Sequence, residues 1–297
     1  MTSNRWSAAD LPDLSGRTVV VTGASSGIGI PTTAELARAG ARVVLAVRNV
    51  VKGEEVARRM AGSTEVRHLE LTSLASIREF AAAWTGDLDI LVNNAGIMLV
   101  PAGRTEDGFE SQIGTNHLGH FALTNLLLPR ITGRVVTISS PLHARGRIDV
   151  DDLNWERRGY DASRAYADSK QANVLFTLEL QRRLTAEGSS VRALSAHPGI
   201  ARTNLGAHIS GLRGALSAIA LRTLAQDAEH GALPTLYAAT QDIPGNAFVG
   251  PDGFGHLRGH PELVQPSRAS QDADLARRLW ARSVELTAAD SPVLTHA

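Results

Sequence analysis

Short runs of β-branched and aliphatic residues recur along the chain, each followed by a stretch whose apolar positions return every three to four residues. Arg17-Thr-Val-Val-Val-Thr22 is the first run, and unbroken apolarity over so few residues predicts a strand buried on both faces. A helical pattern with Ala34, Leu36 and Ala37 follows, ending at Arg38-Ala39-Gly40 with a basic last turn and a glycine stop. Pro31 falls in its first turn, where the missing N–H costs little. The alternation continues with a strand at 43–47, a helix at 51–61, a strand at 66–69, a helix at 74–84 and a strand at 90–92. A long helical stretch from about 110 to 130 leads to a strand at 135–138, a helix at 162–184 and a strand at 191–196.

Strands alternating with helices of this length require crossover connections, which build a parallel sheet with helices on both faces. The expected fold is therefore α/β: a doubly wound parallel sheet, Rossmann-like and in three αβα layers. Segments 200–225 and 241–267 break the rhythm with Gly, Pro and Arg, and a helix near 270–288 closes the chain. No linker separates a second core, so one domain is expected over 1–297, with 200–225 as a substrate lid and 250–297 as a C-terminal extension. In such sheets ligands sit beyond the carboxyl ends of the strands.

Composition narrows the functional classes. The formal net charge is +0, so no global field draws the chain to nucleic acid or an anionic membrane. Cysteine is absent, which removes disulfides, thiolate metal sites and a thiol nucleophile together. The opening MTSNRWSAADLPDLSG lacks the order of a secretory signal, and no apolar run approaches the roughly 20 residues of a membrane helix. A cytoplasmic protein with a small-molecule partner is the expectation. His117 and His120, and His256 and His260, have helical spacing but no convincing carboxylate partner, so no metal is expected and these histidines are placed on the surface or in loops.

Two features carry candidate chemistry. Gly23, Gly27 and Gly29 lie between a strand and a helix start, where backbone amides and the helix dipole hold a pyrophosphate and a side chain would block its approach. The spacing departs from the common Gly-x-Gly-x-x-Gly fingerprint, and an ordinary glycine turn is the plainer alternative. After the second strand comes Arg48-Asn49, where a planar guanidinium suits a 2′-phosphate and favours NADP(H), with NAD(H) as the alternative cofactor. The second feature is Tyr166 with Lys170, one helical turn apart. Lysine occurs only twice in the chain, against 28 arginines, so its placement four residues after one of three tyrosines is notable. A free phenol titrates at about 10; a nearby ammonium lowers that value, and its rotatable donors can also reach ribose hydroxyls. Ser139 and Ser140 end the 135–138 strand, and Ser140 is the expected donor to a substrate oxygen.

These residues resemble the short-chain dehydrogenase/reductase family, in the branch with Thr-Gly-x-x-x-Gly-x-Gly. Thr22 to Gly29, including Ser25, Ser26 and Ile28, is similar to its cofactor motif; Asn93-Asn94-Ala95-Gly96 to its strand-end motif; Tyr166 to Lys170 to its Tyr-x-x-x-Lys; and Pro198-Gly199 to the motif after the sixth strand. The stretches "AVRNVVKGE", "GTNHLGHFALT" and "VGPDGFGHLRGHPE" look like the retinol-dehydrogenase-like and WW-domain-oxidoreductase-like group. The resemblance implies a carbonyl or alcohol substrate, Asn116, Ser140, Tyr166 and Lys170 as the catalytic set, and Glu70, Leu71, Asn93, Ala95, Gly96, Pro198, Gly199 and Thr203 as further cofactor contacts. It implies that Asn116 holds a water in a proton relay, and that two or four copies pack through the long helices. Glu70 stands where the family usually has aspartate, and 26 residues separate Ser140 from Tyr166, longer than in most of the superfamily. A catalytically silent NADP(H)-binding sensor or scaffold of the same fold is the competing function.

Overall fold

In a computed structural model of the chain, residues 5–200 and 226–294 are described; Thr203 and all of the expected lid except Ile200 lie outside them. Eight strands form one sheet in the order β3-β2-β1-β4-β5-β6-β7-β8. They are β1 Thr18–Thr22, β2 Arg42–Val47, β3 Ser63–His68, β4 Leu88–Asn93, β5 Ile131–Ile138, β6 Arg192–Ala196, β7 Phe248–Pro251 and β8 Pro261–Val264. Every pairing is parallel except β7 with β8.

The continuous apolar runs have a simple cause: successive side chains of a strand point to opposite faces, and both faces are covered. Val20, Val44, Leu91 and Val135 enter one core with Ile77, Phe121, Leu175 and Trp280. Val19, Val21, Leu45 and Val136 enter the other with Leu36 and Leu236. The helices are α1 Gly29–Arg38, α2 Val50–Ala57, α3 Leu74–Ala82, α4 Ser111–Ile113, α5 Gly119–Leu127, α6 Ala162–Ala186, α7 Ala228–Thr240 and α8 Ala273–Thr287. Helices α1 and α7 supply the second core, and α3, α5, α6 and α8 the first. The three-layer α/β expectation holds.

Three differences from the sequence expectation bear on the site. The helical stretch from 110 is interrupted by a π turn at Gly114–Leu118, where the Gly119 N–H reaches back to the Gly114 carbonyl. Segment 241–267 contains β7 and β8, each four residues long and containing proline, too short for a periodic signal. Helix α7 carries Pro234 in its interior, which reads as a break in the sequence because proline removes a helical donor.

Helix α8 lies against α6 and α5. Trp280 stacks on Phe176 with ring centroids 5.8 Å apart and meets Phe121 edge-on at 4.9 Å. The Arg183 guanidinium lies 4.6 Å from the Trp280 ring while bonding to the buried Glu179 carboxylate. Part of the surface of α5 and α6 is thus covered by the chain's own C-terminal helix. Among the described residues no helix is long and apolar enough to cross a membrane.

Candidate active site

Strand β1 is bonded to β2 on one side and β4 on the other, so the strand order reverses there, and the carboxyl end of β1 is where sheets of this kind bind ligands. The glycine loop occupies that position. Gly23 and Gly27 have φ of +65° and +54°, a region where side-chain-bearing residues are strained. A Cβ on Gly29 would stand 2.6 Å from the Gly23 carbonyl oxygen. No side chain caps α1 at Ile28, so the positive end of its dipole faces the loop unmasked. Ser25 and Ser26 lie in this loop, which ends against β4: the Thr22 hydroxyl oxygen accepts the Asn94 and Ala95 N–H groups, both at 2.9 Å. Gly96 follows, and a Cβ there would meet Asn116 Oδ1 at 3.1 Å and Lys170 Nζ at 3.4 Å.

Not every expected cofactor residue offers its side chain. Asn93 is fully buried and donates to Thr124 at 2.9 Å and Thr137 at 3.4 Å, an interior bracing role. Asn49 accepts the Lys52 N–H at 3.0 Å and so caps α2. The Arg48 side chain is 78% exposed, with its Nε 3.6 Å from Glu70 Oε2. Glu70 in turn accepts the Thr72 N–H at 3.1 Å, and Leu71 is buried in the core. Beyond β6, Gly199 has φ of +64° and Pro198 accepts the Gln226 amide at 2.9 Å.

Ser140, Tyr166 and Lys170 come together where β5 meets α6. Capped at Asp161, which accepts the Arg164 N–H, α6 presents Tyr166 and Lys170 on one face, and the lysine Nζ lies 5.9 Å from the tyrosine ring centre. Ser140 and Tyr166 are both buried, and the Ser140 hydroxyl is near enough to act on the Tyr166 phenol. Ser139, indistinguishable from Ser140 in the sequence, donates to the Lys170 carbonyl at 2.8 Å and faces away. Lys170 Nζ donates to the Ile138 carbonyl at 3.0 Å. Burial pushes Tyr166 up to about 12, with the nearby Ser140 hydroxyl pulling the other way. Burial likewise brings Lys170 down to about 8. Removal from water opposes charge on both groups, so burial acts on the tyrosine in the opposite sense to the lowering expected of the ammonium.

Asn116 sits in the π turn. Its Oδ1 accepts the Ile97 N–H at 2.8 Å, and its amide donates to the Ile97 carbonyl and to Ser169 Oγ, both at 2.9 Å. The neighbouring histidines bring a correction. His117 and His120 are each 1% exposed, so neither is a surface residue. His120 bonds to both Asn116 and Thr22. Its spacing of four from Asn116 was visible in the sequence; its bond across 98 residues to Thr22 was not. His143, also unforeseen, contacts the Ser140 carbonyl through Nδ1 at 2.7 Å and accepts the Ser267 N–H at 3.1 Å, strapping the serine turn to the C-terminal segment.

A glycine loop at the switch point of a doubly wound sheet, with a serine, tyrosine and lysine gathered beside it, defines a nucleotide-binding α/β architecture. Comparison with known proteins takes this further. The family model described as short chain dehydrogenase matches residues 17–211, and the chain belongs to that family of oxidoreductases. Human retinol dehydrogenase 13 is 45% identical over 298 residues, covering 93% of this chain and 86% of that protein. Mouse polyprenol dehydrogenase is 41% identical over 297 residues, covering 94% and 86%. A crystal structure of an uncharacterized protein from Mycobacterium paratuberculosis is 56% identical, with a TM-score of 0.86 over 97% of this chain and 99% of that one. The Pseudomonas aeruginosa RhlG/NADP active-site complex is 26% identical, with a TM-score of 0.66 over 82% and 98%. The chain is retinol-dehydrogenase-like within its family.

Proposed function

We propose that the chain is an NADP(H)-dependent oxidoreductase that interconverts a carbonyl and an alcohol by hydride transfer, with Tyr166 as the general acid and base. The observation that carries this reading is the gathering of three buried side chains, Ser140 at the carboxyl end of β5 with Tyr166 and Lys170 one turn apart on α6, the lysine Nζ 5.9 Å from the tyrosine ring. The nicotinamide, when bound, supplies or accepts the hydride. Tyr166, held protonated at neutral pH by burial, donates its proton to the carbonyl oxygen in the reducing direction, and Ser140 holds that oxygen by a hydrogen bond. Lys170 has one protein acceptor, the Ile138 carbonyl, among the described residues, while an ammonium has three donors; the remainder suit ribose hydroxyls.

The pyrophosphate belongs on the glycine loop, whose close contacts leave no room for a methyl group at Gly29. Arg48, exposed at the end of β2, pairs with a 2′-phosphate and favours NADP(H) over NAD(H). The RhlG/NADP neighbour supports the cofactor class. Relatives named retinol and polyprenol dehydrogenase support an apolar carbonyl or alcohol as substrate.

The test is NADPH oxidation by the purified protein against medium-chain aldehydes, ketones and retinal, beside Tyr166→Phe. Turnover in the parent should fall ~100-fold or more in the variant. Undiminished turnover by Tyr166→Phe would remove the tyrosine from its role, and NADPH binding without turnover across the panel would favour the sensor reading.

A further inference from the structure

One buried side chain touches both halves of this site. His120 lies at the start of α5, just past the π turn, with Nδ1 3.0 Å from the Asn116 carbonyl oxygen and Nε2 2.9 Å from Thr22 Oγ. A carbonyl only accepts, so the ring carries its proton on Nδ1; Nε2 of the neutral ring is then an acceptor, and the Thr22 hydroxyl proton goes to it at 2.9 Å in preference to the Val92 carbonyl at 3.4 Å. The Thr22 oxygen already accepts two N–H groups, from Asn94 and Ala95. A directed chain of hydrogen bonds therefore runs from the end of β4, through Thr22 at the root of the glycine loop, to the imidazole and on to Asn116.

The arrangement admits one protonation state. An imidazolium would place a second N–H against a Thr22 oxygen whose lone pairs are both engaged, and among the described residues no carboxylate is hydrogen-bonded to the ring. The charged and titratable groups that act on the cluster are Lys170 and His117, and neither favours a cation at His120. Burial works in the same sense, bringing His120 down to about 4.

We propose that His120 is a positioning residue for the reaction: a neutral imidazole of fixed tautomer that locks the Asn116 turn to the Thr22 hydroxyl, so that the cofactor loop and the Asn116 end of the proton path hold one geometry. The inference rests on the oxidoreductase reading above, and goes beyond it in giving a role to a buried side chain outside the proposed catalytic and cofactor-binding sets. A histidine that only filled the core would change stability when replaced. It would not couple to Thr22, and its tautomer would be of no consequence to turnover.

The experiment has two arms. The first is nitrogen NMR of the histidine-labelled protein, with His120→Gln identifying the signal. His120 should be neutral and protonated at Nδ1 down to about pH 5.5, whereas a free imidazole is mostly charged there. An Nε2-protonated ring, or an imidazolium at that pH, would overturn the proposal. The second arm is a kinetic cycle of His120→Leu, Thr22→Val and the double variant, with melting curves confirming that each folds. Each single variant should lose roughly tenfold in kcat with KM for the carbonyl substrate within about twofold, and the double should be no worse than the worse single. His120→Gln, which keeps a donor and an acceptor, should recover part of the loss. Losses that multiply in the double variant, or rises in KM with kcat unchanged, would overturn it. Should His120→Leu fail to fold, the same cycle is run with His120→Gln. A parent without turnover but with the Nδ1-protonated ring would fail the oxidoreductase reading and leave the lock standing; an active parent with the other tautomer would fail this inference alone.

Discussion

At Gly29 a single methyl group separates a functional loop from a blocked one. Its Cβ would stand 2.6 Å from the Gly23 carbonyl oxygen and 2.8 Å from the Asn94 amide nitrogen, so Gly29→Ala must push the loop outward. We expect at least a ~10-fold weaker NADPH affinity, read by fluorescence titration, since a small shift of a phosphate cradle costs about one hydrogen bond. Arg48 is a contrasting probe because its side chain is exposed and, among the described residues, its ion-pair contact is with Glu70 at 3.6 Å. Arg48→Ala should raise KM for NADPH by roughly tenfold and leave that for NADH within about twofold, because only the first carries the phosphate a guanidinium would bind; equal effects on both would remove Arg48 from specificity. At this scale the sequence was legible where a residue type was scarce, as with Lys170, or where a motif was dense, as in the glycine loop. The choice of Ser140 over Ser139 had no such signal behind it, because which hydroxyl turns inward depends on the strand's path into the 3-10 turn that follows. His120 was misplaced on the surface because burial is set by α5 packing, not by the identity of one side chain.

Element by element, strands buried on both faces were visible because every position in them must be apolar. The π turn was invisible: it changes which carbonyl each N–H meets without changing the apolar spacing that marks a helix. Strands β7 and β8 were hidden by prolines and brevity, since their place comes from pairing with β6 and with each other rather than from their own composition. Helix α8 was foreseen in position but not in partner. Its Trp280 is 3% exposed, between Phe121 and Phe176. Trp280→Ala should destabilise the protein by about 3–5 kcal/mol, the cost of removing a large buried aromatic and leaving its cavity, measured by urea unfolding. A loss below about 1 kcal/mol would show that α8 does not hold α6 in place.

For the molecule as a whole, the buried histidines set a pH limit. Burial brings His117 and His197 down to about 3 and His120 to about 4, while the unfolded chain takes up protons near 6.5. Below that value the unfolded state binds more protons than the folded one, so stability falls as pH falls, by about 1.4 kcal/mol per pH unit for each ring. Glu110 and Asp168, whose carboxyls are raised by burial, act in the opposite sense and soften the loss at the acid end. Melting temperature should therefore drop between about pH 7 and 5, with about two to three protons taken up on unfolding near pH 5 in calorimetry; a flat profile would mean that these rings are protonated in the folded chain. The parallel sheet and its two helical layers were implicit in the alternation of apolar runs and helical periods; the strand order was not. Nor was the sheet's outer margin, and that margin has a consequence of its own. The last pairing sets Pro251 against Pro261, two residues without an N–H, and the terminal strand is four residues long. At the opposite margin Glu65 and Arg67 hold each other on β3. An incoming chain finds few donors on one side and bound charge on the other, so neither flank is a template for further strands, and fibrous association of native molecules has no starting point there.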